Sequence, residues 1–104
     1  MVAPIDRVQL RTLGSDALKV VSPFDVEIEI ADGCGVLADL LVLWVPEIRE
    51  YGEGESLREA TGDLQANIID FYNDLKAHEE ILGRELKRTL ATMRSKIREQ
   101  GAPA

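Results

Sequence analysis

The sequence predicts an α+β fold: an antiparallel β-meander of three to five strands followed by two α-helices. Three observations carry this. Residues 24–30, FDVEIEI, alternate strictly between apolar and acidic side chains, the period of a strand with one buried face. From Ser56 onward the apolar residues recur at spacings of three and four instead, the period of a helix face. The strand-like segments are joined by short turn signals rather than by helices, which favours antiparallel pairing. With 104 residues, one domain spanning 1–104 is expected.

Residues 1–23 read as additional strands: VQLRTL alternates weakly, Gly14-Ser15-Asp16 signals a turn, and ALKVV follows. Ser22-Pro23 then interrupts the chain, because proline fixes its own φ and restricts the residue before it. In FDVEIEI, Val26, Ile28 and Ile30 share one face, and Asp25, Glu27 and Glu29 share the other. Asp32-Gly33 is a hairpin signal, lengthened or bulged by Gly35. LADLLVLWVP is apolar almost throughout, so it is expected as the central strand, covered on both faces or by a partner, with Trp44 in the core. Pro46 cannot donate to a ladder and marks that strand's end. EIREYGEG returns as a short third strand.

Ser56 and Glu59 have the spacing of a capping box, which opens a helix whose stripe is Leu57, Ala60, Leu64, Ile68, Phe71 and Leu75. Gly83 is placed as a C-terminal cap or hinge. Residues 79–98 read as a basic amphipathic helix with Leu86, Leu90, Met93 and Ile97 on its apolar side, packed against the first helix. Self-association across a two-fold axis is the next way to bury that stripe, and a dimer is the expected oligomer.

The formal charge of −7 argues against a surface that binds nucleic acid everywhere. The charge is uneven. Residues 84–98 carry +5, so the rest of the chain sums to −12. Arg84, Lys87, Arg88, Arg94, Lys96 and Arg98 are the candidate contacts for an acidic partner or a phosphate backbone, although cations also collect at a helix C-terminus because they suit its dipole.

No enzyme is expected. Gly52-Glu53-Gly54-Glu55-Ser56 lacks the lysine of a P-loop and the third glycine of a dinucleotide fingerprint, and its carboxylates oppose a phosphate. These glycines read as permitting a positive φ or a bulge before the helix. The single histidine, His78, and the single cysteine, Cys34, offer neither a zinc set nor an activated nucleophile. An acidic magnesium site from Glu47, Glu50, Glu53 or Glu55 lacks specific ligand spacing. No metal or cofactor is expected, and Asn67, Asp70, Asn73 and Asp74 read as a solvated face. One cysteine allows no intrachain disulfide. The opening MVAPIDRVQL lacks a signal-peptide pattern, and no apolar run is long enough to span a bilayer. A cytoplasmic protein without membrane contact is the expectation.

Val45-Pro46-Glu47-Ile48, followed by Gly54-Glu55-Ser56 and then Glu59-Ala60, resembles the recurrent pattern of the HicB-like antitoxin domains. The resemblance covers about residues 24–76. It departs at Arg49-Glu50-Tyr51, where that family has Pro-Gly-Cys and one further residue. The resemblance implies a small, self-associating sheet-and-helix domain that neutralises a small basic ribonuclease toxin. Residues 77–104 are too short for the DNA-binding modules many such antitoxins carry, so operator binding is not expected. A stand-alone dimeric adaptor domain and a nucleic-acid binder acting through the basic helix are the alternatives.

Overall fold

The computed structural model describes residues 6–31 and 40–100. Four strands, β1 (Asp6–Leu10), β3 (Phe24–Ala31), β4 (Leu40–Val45) and β5 (Glu50–Gly54), form an antiparallel sheet in the order β1-β3-β4-β5. The short β2 (Leu18–Val20) leaves this sheet and pairs instead with β6 (Ile97–Glu99) near the end of the chain. Between β5 and β6 run α1 (Leu57–Ala77), a single 3-10 turn (Glu79–Ile81) and α2 (Arg84–Lys96). The α+β order of strands then two helices is the one the sequence predicts. The Asp32-Gly33 turn lies outside the described residues.

Period-two alternation sets the two sheet faces. Phe24, Val26 and Ile28 of β3 and Leu43 and Val45 of β4 are buried on the side that α1 covers. From α1 come Ala60, Leu64, Ile68, Tyr72 and Leu75. Each fully buried Leu or Ile contributes about 1.5–3 kcal/mol relative to exposure. Leu90 and Met93 of α2 and Ile97 of β6 close the end of the same core.

The glycines of β5 are needed for close approach rather than for a special φ. A Cβ on Gly52 would lie 2.2 Å from the backbone nitrogen of Leu64, and one on Gly54 would lie 2.6 Å from that of Ala60. Neither glycine has a positive φ; among the described residues those values occur at Gly14 and, without a glycine, at Arg49. The missing side chains let α1 lie directly on the strand.

Several expectations are corrected in detail. Ser56 Oγ accepts from the Glu59 N–H at 3.1 Å as a cap should, but Glu59 Oε2 accepts from Glu55 N–H rather than from Ser56. Tyr72, not Phe71, fills the buried position in α1, while Leu57 is half exposed. Residues 79–98 are not one helix: Gly83 is the N-cap of α2, and Ile97 onward is strand. Leu86, expected on the apolar side of that helix, is exposed.

Candidate partner-binding face

The side of the sheet opposite α1 carries the other half of each alternation. On β4 these are Leu40, Val42 and Trp44; on β5, Tyr51 and Glu53; on β3, Asp25, Glu27 and Glu29; on β1, Arg7 and Gln9. None is buried. Register places Arg7 opposite Glu27, Glu27 opposite Trp44, and Trp44 opposite Tyr51. One row therefore crosses all four strands from cation through carboxylate to two aromatic rings. In the next row Glu29 faces Val42, which faces Glu53.

The result is an apolar strip along β4, widened by Tyr51, between carboxylates on β3 and β5. Four carboxylates (Asp25, Glu27, Glu29 and Glu53) stand against the guanidinium of Arg7 and, just beyond β1, that of Arg11. At one end, Arg11 donates to Gln9 Oε1 at 2.8 Å and Gln9 Nε2 donates to Asp25 Oδ1 at 3.3 Å. Those side chains, with Glu27, Pro46 and Glu47, line an open groove of about 810 Å³.

Trp44 therefore lies half exposed on this face, not in the core, and the described residues cover β4 on one side only. The sequence hides this because both faces of LLVLWV are apolar, and no alternation marks the wet one. Tyr51 could have been found from its alternation with Gly52 and Gly54.

The six basic candidates are divided by the fold. Arg84, Lys87 and Arg88 are exposed on α2 at spacings of three and four, so they share a face. Arg94 is committed to Glu79, with two hydrogen bonds of 2.7 and 2.8 Å. Those bonds hold the Glu79 carboxyl below its usual range and push the Arg94 guanidinium up. Lys96 turns inward: Nζ donates to the Pro23 carbonyl at 2.8 Å, pairs with Glu47 at 3.3 Å and sits 5.5 Å from the Phe24 ring centre. Arg98 is on β6, exposed. The stripe expected along one helix is thus a cluster of three, a paired arginine, a packing lysine and a strand residue.

The polar residues of α1 also differ from a plain solvated face. Asn67 Nδ2 donates to the Tyr51 carbonyl at 2.7 Å, and Asp63 Oδ2 accepts from the Glu53 N–H at 2.9 Å. Glu50, at the start of β5, has its carboxyl pushed up by burial, an effect the Tyr51 N–H opposes and the Asp63 charge reinforces. His78 ends α1, its Nδ1 2.9 Å from the Asp74 carbonyl. Among the described residues no three His, Cys, Asp or Glu side chains group to hold a metal ion, and no helix is long and apolar enough to cross a membrane. No family model, curated protein or solved structure matches the chain.

Proposed function

We propose that this is a non-catalytic protein-interaction domain whose open sheet face binds a small basic protein. The observation that carries it is the half-exposed strip of Leu40, Val42, Trp44 and Tyr51 framed by Asp25, Glu27, Glu29 and Glu53. Aromatic side chains supply most of the energy at the centre of an interface. Carboxylates around them steer a cationic partner and reject acidic ones. The more specific reading, supported by the sequence resemblance, is a HicB-like antitoxin: a cytoplasmic dimer that neutralises a small basic ribonuclease toxin.

The test is a low-salt affinity pull-down from the native cell, followed by titration of the co-eluting protein. The reading expects a stoichiometric small basic protein that salt releases. Trp44→Ala should weaken the complex by about 30-fold, the usual scale for an aromatic anchor, and leave the fold intact. A complex indifferent to Trp44→Ala and to Glu27→Lys would overturn this assignment of the face. Duplex binding at low salt that disappears on reversing Arg84, Lys87 and Arg88 would instead favour the nucleic-acid alternative.

A further inference from the structure

The two edges of the main sheet are unequal. Outward-pointing groups of β5 are covered by carboxylate and amide side chains: Tyr51 C=O by Asn67, Glu53 N–H by Asp63 and Tyr51 N–H by Glu50. This protects the β5 edge against pairing with another strand. The same bonds fix the phase of the whole sheet, because successive residues of a strand point their N–H and C=O to opposite sides. If Tyr51 and Glu53 point outward, the registers through β4 and β3 make Asp6, Val8 and Leu10 point to β3. Arg7 and Gln9 then point out from β1. Arg7 N–H donates to the adjacent Asp6 Oδ1 at 2.7 Å, a local bond that strand pairing must displace, as it would the Tyr51–Glu50 bond. What sets the edges apart is that no described residue bonds the Arg7 C=O or the backbone of Gln9, whereas α1 side chains hold the Tyr51 C=O and the Glu53 N–H.

We propose that β1 is a self-association edge, at which two copies of the chain pair antiparallel about a two-fold axis at Val8. This deepens the dimeric part of the reading above and is independent of any basic partner. Charge and the extent of β1 select the register. A two-fold perpendicular to the sheet must pass through a residue position, since facing residues have to share a face. Centred on Arg7, it sets Arg7 against Arg7. Centred on Gln9, it sets Arg7 against Arg11. Like charges directly opposite are destabilising. Centred on Val8, it sets Arg7 against Gln9, Asp6 against Leu10 and Val8 against Val8.

A centre at Leu10 also avoids like charges, but Leu10 is buried and ends β1, so half of that pairing would fall beyond the strand. The Val8 centre keeps its pairs within β1 and uses an exposed apolar side chain. Val8 is 40% exposed on the helix-covered side of the sheet. Across the axis the two Val8 side chains form a non-hydrogen-bonded pair, the arrangement with the closest side chains. The two Arg7–Gln9 pairs each exchange both backbone bonds. Two four-stranded sheets become one of eight strands, with both α1 helices on the same side. The contact is small, so a dissociation constant on the order of 10 μM is expected.

Sedimentation velocity over about 1–300 μM spans that range. Gln9→Pro removes an outward N–H and leaves the β1–β3 ladder whole, so it should weaken the dimer at least ~10-fold while circular dichroism stays native. Val8→Lys, which sets like charges across the axis, should do the same if the proline disturbs the strand. In a Cys34→Ser background, Val8→Cys should cross-link under mild oxidation. Gln9→Cys should not, because its two copies lie beyond the ~7 Å Cα separation a disulfide spans. A monomer at every concentration overturns both this edge and the dimeric part of the function. A dimer that survives Gln9→Pro and Val8→Lys, with no Val8→Cys cross-link, overturns the edge alone.

Discussion

Gly52→Ala tests how α1 is seated on the sheet. The added Cβ would lie 2.2 Å from the Leu64 nitrogen, 2.5 Å from its Cα and 2.6 Å from its Cβ. Ordinary van der Waals contact begins near 3.4 Å, so helix and strand must separate by roughly 1 Å at that point, in an interior packed to crystal-like density. The obstacle is backbone, and no rotamer change relieves it. Separation would loosen Leu64 and Ile68, both fully buried, and lengthen the Asn67–Tyr51 and Asp63–Glu53 bonds. Overpacking of this kind costs about 3 kcal/mol, which in a chain of this size lowers Tm by roughly 12–24 °C. Thermal unfolding followed by circular dichroism reads this directly. Gly62→Ala is the internal control: Gly62 lies within α1 with nothing within 4 Å of the added carbon, so alanine should stabilise by about 0.5–1 kcal/mol through helix propensity. The same chemical change is thus expected to have opposite signs ten residues apart. A Gly52→Ala protein within about 0.5 kcal/mol of the parent would refute the close-approach account, because that is the scale of a neutral surface substitution.

Other consequences can be measured in the same way. Glu79 is held below its usual range first by the Arg94 hydrogen bonds. Its stabilisation is therefore complete above the unfolded value and lost as pH falls through the folded one. The Tm deficit of Glu79→Gln should be present at neutral pH and close in acid; a deficit constant with pH contradicts the pair. Glu50 has the reverse sign, since burial raises its folded value. Glu50→Gln should raise Tm at neutral pH, with the gain vanishing once Glu50 is protonated in both states. Lys96→Ala removes the bond to Pro23 and the pairing with Glu47, and a loss of about 1–2 kcal/mol in urea unfolding is expected. Asn67→Ala leaves the Tyr51 carbonyl bare on the β5 edge, so unfolding stability should fall by about 1 kcal/mol and the protein should aggregate more readily on storage.

The elements differ in how far local sequence decided them. β3 was legible because its wet face is acidic, and the start of α1 because Ser56 and Glu59 have few other uses at that spacing. β4 announced itself as a strand but concealed which face is open, since Leu40, Val42 and Trp44 are as apolar as Leu41, Leu43 and Val45. β6 was illegible for a different reason. Ile97 stands four residues after Met93 and continues the helical spacing; only pairing with β2 makes it strand, a tertiary contact overriding a local pattern. Phe71 and Tyr72 both fit the spacing between Ile68 and Leu75, at three then four or four then three, so periodicity does not separate them; the seating of α1 on the sheet buries Tyr72. The candidate face became visible only through register, which brings Glu27, Trp44 and Tyr51 into one row from three separate strands. The basic residues were legible as a group, but their division among solvent, Glu79 and the Phe24 ring depends on where α2 ends.

The β2–β6 ribbon joins Leu18–Val20 to Ile97–Glu99, and this has a consequence for synthesis. A ribosome releases residues in order, so the strands of the main sheet leave it before the partner of β2 does. Until α2 and β6 follow, Leu18 and the far end of the core around Phe24 and Leu75 lack the cover that Leu90, Met93 and Ile97 later provide. The ribbon is therefore the last closure, made between segments about eighty positions apart, the kind of non-local pairing that forms slowly. A chain whose α2 and β6 have not yet docked would leave the Leu90, Met93 and Ile97 side of the core open, and it is that form, rather than the finished protein, that offers a chaperone apolar surface.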